Sequence, residues 1–293
     1  ILQAWARVVP RQHLEPILPM ALAQLLNDGA APLLVALSAA RRRDLSLSGL
    51  IERLEVQDPR FVQTISVISL FDLQQERLPP ALLADFCFSY DEMPWAAPFS
   101  VQSQFKRLAD LLVAVALLLL MAPLVCFAAL LIWLEDQGPV FYRQQRSGWL
   151  GRPFTVLKLR TMSVQPQSAQ ANWTQPGDQR ITEVGRWLRR LRFDELPQLL
   201  NVINGEMSLI GPRPERPELE YVLERHIPHY RKRHWMRPGL SGWAQVCAPY
   251  ASTIEDSDLK LSYDLYYLRH FSTWLDLVIL FRTIKTVLKA GGR

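Results

Sequence analysis

Cysteine is scarce in this 293-residue chain: Cys87, Cys126 and Cys247 are far apart, with no CxxC pair among them. That spacing excludes a disulfide framework and a cysteine-built zinc site, and it fits a reducing compartment. No GxGxxG follows either β-branched run near the N-terminus, so a dinucleotide fingerprint is missing as well. Residues 1–31 carry scattered Arg, Glu and Pro rather than a basic start and an apolar block, which is not the pattern of a secretory signal. Charge itself is missing over one long stretch, because no Asp, Glu, Lys or Arg lies between Asp110 and Glu135.

Leu111 to Leu134 therefore reads LLVAVALLLLMAPLVCFAALLIWL, enough for a helix of about 36 Å and for crossing a bilayer. Pro123 interrupts it, removing a helical hydrogen bond and crowding the preceding turn. The outcome is either a kinked span or a hairpin that bends at Ala122-Pro123 and leaves by the face it entered. Lys106 and Arg107 precede the segment, and Arg143 and Arg146 follow it after Glu135 and Asp136. Basic residues on both flanks conflict with a positive-inside asymmetry and favour the re-entrant form over residues 104–138.

The chain is 49% hydrophobic with a net charge of +5, a balance that suits nucleic acid, anionic lipid or phosphorylated substrates. The apolar segment selects lipid and phosphate, and no nucleic-acid partner is expected. Residues 1–98 read as a small α/β module: helical spacing over Leu14–Leu26 and Leu47–Leu54 alternates with strand-like runs at Pro32–Leu37 and Val62–Leu70. Without a phosphate loop, a structural or regulatory role is expected for it. Asp91–Ser100, with Pro94 and Pro98, reads as a linker.

Residues 139–293 are mixed and basic. In Thr155–Arg160, strand alternation puts Lys158 and Arg160 on one face, where they either grip a diphosphate or sit solvated on a half-exposed strand. Ser163–Asp178 reads as a loop. Val184–Leu191, with Trp187 among arginines, and Thr273–Leu288, with Trp274 and spaced aliphatics, read as helices lying in a headgroup layer. Arg231, Lys232, Arg233, His234, Trp235 and Arg237 form a basic aromatic cluster of the kind found at membrane interfaces. His226, His229 and His234 lack the spacing of a zinc motif.

The chemistry centres on Asp194-Glu195, with arginines before and Gly211-Pro-Arg-Pro214 after. A carboxylate is nucleophilic at neutral pH without a base, and it can attack phosphorus if cations or a metal neutralise the approaching charges. The same residues also suit a helix start, with Asp194 as N-cap, Glu195 in the first turn and Pro197 tolerated there. The two readings can coexist, since helix starts favour anions.

Lys106-Arg107 ahead of the apolar segment, Lys158-Leu-Arg160-Thr-Met162, Asp194-Glu-Leu-Pro-Gln198, Met207-Ser-Leu-Ile-Gly-Pro-Arg-Pro-Glu215 and Arg237-Pro-Gly-Leu-Ser-Gly-Trp-Ala-Gln245 together resemble the bacterial sugar transferase family, the monotopic polyprenol-phosphate phosphoglycosyl transferases. The resemblance covers about residues 104 to 290. It implies a Rossmann-like α/β remnant joined to a mostly α (α+β) catalytic domain with a Pro-broken re-entrant helix, at the cytoplasmic face of the inner membrane. The implied reaction moves a hexose 1-phosphate from a UDP-sugar to undecaprenyl phosphate and releases UMP, initiating exopolysaccharide, capsule or O-antigen assembly. Asp194 is the implied nucleophile. Asp194 and Glu195 are the implied Mg2+ ligands, and Lys158, Arg160, Arg213 and Arg237 the implied substrate contacts. A homo-oligomer is compatible with the family. Long members carry several membrane spans ahead of the α/β module, and residues 1–98 contain none. The family's Ser-Pro break is Ala122-Pro123 here, so no hydroxyl is available to back-bond. A catalytically silent scaffold that binds phosphorylated lipids and partner glycosyltransferases is the alternative, and it has no use for two adjacent carboxylates.

Overall fold

The computed structural model describes residues 33–37, 62–85, 88–96, 100–163, 178–248 and 253–288. It divides into two compact units, residues 1–74 and 75–293, whereas sequence reasoning places the boundary near residue 98.

In the first unit, strands β1 (Leu33–Leu37) and β2 (Val62–Ser66) pair in parallel, with Leu33 opposite Val62 and Leu37 opposite Ser66. A parallel pair needs a crossover connection, as the α/β reading expects. The strand expected to reach Leu70 stops at Ser66, and Val67–Gln75 (α1) is helical. The Ser66 hydroxyl accepts the Ser69 N–H at 3.1 Å, a local bond that favours a turn into helix over continued extension. The helices expected at Leu14–Leu26 and Leu47–Leu54 lie outside the described residues.

The second unit is mostly helical. Its first residues are more than a linker: the Leu78 N–H donates to the Ser262 carbonyl at 2.8 Å, and the buried Trp95 indole donates to the Leu268 carbonyl at 2.7 Å. Helix α2 (Val101–Asp136) follows. The Ser100 side chain caps its start, Gln137 ends it in a left-handed conformation at φ 54°, and the helix is continuous through Pro123. A proline costs one hydrogen bond and some crowding, and the surrounding uncharged turns hold the helix across it.

Helix α2 has two unlike faces. Ala114 is buried in a cluster with Val156, Leu199, Val202 and Met207, and Ala128 and Ile132 in another with Leu159 and Leu188. Leu112, Leu119, Leu120, Phe127, Leu130 and Leu134 are exposed. Both ends are tied to the same unit. Near the start, Lys106 pairs with Asp276 at 2.7 Å, Arg107 donates to the Val202 and Ile203 carbonyls, and Asp110 accepts from the Ser208 hydroxyl at 2.7 Å. At the far end, Asp136 pairs with Arg160, and Glu135 accepts the Glu183 N–H at 3.0 Å.

Beyond it, β3 (Phe141–Ser147) and β4 (Pro153–Leu159) form an antiparallel hairpin, with Phe141 opposite Leu159 and Ser147 opposite Pro153. Helices α3 (Glu183–Leu191) and α4 (Leu199–Asn204) flank a 3-10 stretch, Phe193–Gln198. Strands β5 (Ser208–Ile210) and β6 (Gly239–Ser241) pair in parallel around α5 (Pro217–His226) and a 3-10 turn at Tyr230–Trp235. Helices α6 (Trp243–Cys247), α7 (Ile254–His270) and α8 (Thr273–Leu288) complete the unit. Helix α8 has the expected bounds. It exposes Trp274, Leu277, Phe281 and Ile284 while burying Ile279, so its apolar surface extends well beyond the core-facing side. Residues 164–177 of the expected loop lie outside the described residues.

Candidate active site

Helix α3 begins where the Thr182 hydroxyl accepts the Gly185 N–H at 3.0 Å, and it ends at Arg192, held left-handed at φ 58°. That reversal starts the Phe193–Gln198 turn, whose capping position is Arg192 and which has no side-chain cap. Asp194 is therefore inside the turn and not its N-cap. The capping explanation of this acidic pair does not apply.

Three separate elements meet at Glu195. Lys158 from β4 reaches its Oε1 at 2.8 Å, and Arg213 from the Gly-Pro-Arg-Pro loop reaches the same oxygen at 2.7 Å. Glu195 is buried, which alone would raise its pKa, but Arg213 and Lys158 override burial and hold the carboxyl well below the usual range. Lys158 is itself pulled down by burial, with Glu195 opposing, and Arg213 is raised chiefly by the Glu195 charge. These charge-assisted bonds fix Glu195 as an anion.

Asp194 has the opposite environment. It makes no hydrogen bond or ion pair to another described residue. Burial and the neighbouring Glu195 charge push its carboxyl up to about 6, against the pull of Lys158, Arg189 and Arg213. Its pKa places it mostly ionised at pH 7, unpaired, and near three cations. Two adjacent oxygen-donor carboxylates, one of them unpaired, are a donor set that suits a hard divalent cation such as Mg2+, which takes one or two carboxylates and completes its shell with water and phosphate.

The loop carrying Arg213 is set by β5 and β6. The Gly211 N–H donates to the Ser241 carbonyl at 2.8 Å, and the Gly239 N–H donates to the Pro212 carbonyl at 2.9 Å.

Of the residues singled out from sequence, Asp194, Glu195, Lys158 and Arg213 are brought together; Arg160 and Arg237 are held elsewhere. Arg160 lies one residue past the end of β4, buried, with its guanidinium on Asp136 and its Nε on the Pro139 carbonyl at 2.5 Å. Arg237 donates to the Gly205 carbonyl at 3.0 Å and lies over the Trp149 ring. The basic aromatic cluster is also not a uniform surface: Arg231 is exposed against Glu224, Trp235 stacks on Phe88, and Arg233 is buried. Arg233 and its partner Asp264 were not separable from sequence, because Arg233 stands in a run of cations that reads as exposed and Asp264 in an ordinary helical pattern.

Residues 101–290 match the bacterial sugar transferase family. The chain is 45% identical over 195 residues to a UDP-N-acetylgalactosamine-undecaprenyl-phosphate N-acetylgalactosaminephosphotransferase of Aeromonas hydrophila, a match covering 67% of this chain and 46% of that protein. It is 44% identical over 186 residues to an undecaprenyl-phosphate glucose phosphotransferase of Komagataeibacter xylinus, covering 61% and 35%. It is 44% identical over 185 residues to a UDP-glucose:undecaprenyl-phosphate glucose-1-phosphate transferase of Caulobacter vibrioides, covering 62% and 69%. The chain thus spans about half the length of these relatives. With an acidic pair set among cations from three elements, and a match running from the start of α2 beyond the end of α8, the chain belongs to the bacterial sugar transferase family.

Proposed function

We propose that this chain transfers a sugar 1-phosphate from a UDP-sugar to undecaprenyl phosphate in two steps through Asp194. An Asp194 carboxylate oxygen attacks the sugar-bearing phosphorus, the bond from that phosphorus to the bridging oxygen breaks, and UMP leaves with the electron pair. An oxygen of undecaprenyl phosphate then attacks the same phosphorus. The aspartyl–phosphorus bond breaks, the carboxylate is regenerated, and the sugar is left on a lipid diphosphate. The observation that carries this reading is the division of the pair: Oε1 of Glu195 is held by both Lys158 and Arg213, while Asp194 is unpaired beside them. Relatives named for undecaprenyl-phosphate sugar transfer support the substrate classes.

Arg213 and Lys158 supply fixed positive charge where phosphate oxygens would lie. Glu195 keeps both cations oriented and repels the Asp194 carboxylate, leaving it poorly stabilised in the resting site. Asp194 and Glu195 would also hold Mg2+, which would supply neutralising charge for the diphosphate oxygens.

Membrane attachment follows from α2. Both of its ends are tied to one unit while its middle exposes Leu119, Leu120 and Phe127, which supports a re-entrant helix over a straight span. A straight helix of this length would measure about 54 Å and, set upright, would carry its ends to opposite sides of a bilayer. The site then lies at the lipid surface, as an acceptor with a polyprenyl tail requires, and the inner-membrane cytoplasmic face supplies the nucleotide sugar. In the first unit, the parallel β1–β2 pair supports a Rossmann-like module.

The test is incubation of solubilised protein with radiolabelled UDP-sugars, Mg2+ and undecaprenyl phosphate beside Asp194→Asn. Label in lipid and UMP in water from the native chain, with neither from the variant, is expected. UMP absent with every donor would overturn the reading, and the donor that gives label identifies the sugar.

A further inference from the structure

Arg213 hangs from a loop that cannot hold itself. Pro212 and Pro214 have no N–H, so the main chain on both sides of Arg213 lacks donors and must be fixed through its carbonyls. Each carbonyl from 212 to 215 is in fact captured. Pro212 accepts from the Gly239 N–H at 2.9 Å and Glu215 from the Ser147 N–H at 3.0 Å. Pro214 accepts from Arg146 Nη1 at 3.2 Å, and Arg213 from Arg233 Nη2 at 2.9 Å.

Arg233 differs from the other clamps. Its side chain is buried, its Nη1 donates to the Tyr230 hydroxyl at 2.6 Å, and its Nη2, which donates to the Arg213 carbonyl, lies 2.9 Å from Oδ2 of the buried Asp264 on α7 as an ion pair without hydrogen-bond alignment. Burying an arginine and an aspartate costs desolvation that well-packed apolar residues would avoid, so the pair is a poor device for stability alone. An arginine fork can, however, hold a hydroxyl and a carbonyl at once in a fixed plane while its charge faces a carboxylate, which a lysine cannot.

We propose that Arg233, anchored by Asp264, is a positioning residue that fixes the main chain of Arg213 and through it the guanidinium beside Asp194 and Glu195. The proposal rests on the transferase reading for its effect on rate. Arg233 itself need not touch substrate. Misplacing a charge-stabilising group by about 1 Å costs on the order of 100-fold in rate, so a substantial loss is expected when the clamp is removed.

The experiment is a double-mutant cycle on UMP release by the full chain with Mg2+, using Arg233→Met, Arg213→Gln and the double variant, with thermal midpoints measured alongside. Arg233→Met should lower kcat at least ~10-fold with the donor KM changed less than about threefold. The double variant should be no slower than Arg213→Gln alone, because an absent side chain cannot be misplaced. A loss from Arg233→Met of equal factor in both backgrounds would show a merely structural role and overturn the proposal. If Arg233→Met does not fold, Arg233→Lys and Asp264→Asn replace it in the same cycle with the same two outcomes. Should the native chain release no UMP from any donor, the transferase reading falls separately. The clamp is then decided on thermal midpoints, where losses smaller together than their sum support it and additive losses refute it.

Discussion

Asp194 and Glu195 are adjacent carboxylates held in opposite electrostatic states. Glu195 is kept ionised by Arg213 and Lys158 despite burial, and Asp194, raised by burial and by Glu195, titrates at about 6. The cations that hold Glu195 have no direct bond to its neighbour, so the site contains a carboxylate whose charge is poorly compensated.

This gives the first prediction. The folded pKa of Asp194 lies above its ordinary value of 3.8, so between about pH 4 and 6 the folded chain keeps a proton that the unfolded chain has released. Stability is therefore lost as pH rises through that window, by about 2 to 3 kcal/mol in total. Without metal, Asp194→Asn should raise the thermal midpoint by several degrees at pH 7.5 and leave it nearly unchanged at pH 4, although it abolishes transfer. A lower midpoint for the variant at pH 7.5 would contradict this assignment.

Arg160 provides a contrast between motif and geometry. Placed by strand alternation on the face of Lys158, it instead closes on Asp136 at the end of α2. Arg160→Gln should leave the donor KM within about twofold while exposing the far end of α2 to limited proteolysis, because the guanidinium contacts to Asp136 and the Pro139 carbonyl that close that end are lost. A tenfold rise in KM without loosening of the helix end would return Arg160 to the phosphate site.

The acidic pair, Lys158, Arg213 and the long apolar helix were legible because each depends on local sequence: adjacent residues, one strand, one proline turn, one uncharged run. What sequence did not show depends on partners far along the chain. The fate of Arg160 is decided by Asp136, 24 residues earlier. That of Arg233 is decided by Asp264 on a different helix. Alternation assigned Arg160 to a face, but the strand ends at Leu159, and one residue beyond a strand the rule no longer constrains direction. The end of β2 was missed for a related reason: β-branched composition ran on to Leu70, while a single hydroxyl at Ser66 began the helix.

Gly239 sets the height of the Arg213 loop. A Cβ there would lie 2.1 Å from the Gly211 nitrogen and 2.4 Å from the Ser241 carbonyl oxygen, both main-chain atoms of the β5–β6 region that cannot swing aside. Gly239→Ala should separate the two strands and lower the thermal midpoint by more than about 10 °C, with loss of transfer, as expected for overpacking against a fixed backbone. Gly151→Ala is the control. Its site is open and its φ is +74°, so only the left-handed backbone penalty of about 1 kcal/mol applies, and transfer should persist. Equal effects from both substitutions would show that close approach at Gly239 is not what matters.

The two ends of α2 give the sharpest test of membrane topology. Ser103 lies near the end tied down by Lys106, Arg107 and Asp110, and Gln137 follows the end tied down by Asp136. If these ties hold in the bilayer, both positions face the same side. With the three native cysteines replaced by alanine, Ser103→Cys and Gln137→Cys should both react with an impermeant maleimide from the same side of sealed vesicles, and neither from the other side. Pro123→Leu restores a missing backbone donor and removes the ring's clash, which favours a straight helix by about 3 kcal/mol. Against it stand the pair between exposed Asp136 and buried Arg160 at one end and three polar contacts at the other. The ties should win, so same-side labelling should survive the substitution with the midpoint of unfolding changed. Labelling from opposite sides in the native sequence would mean that α2 crosses the bilayer and that the ties seen at one end are broken there.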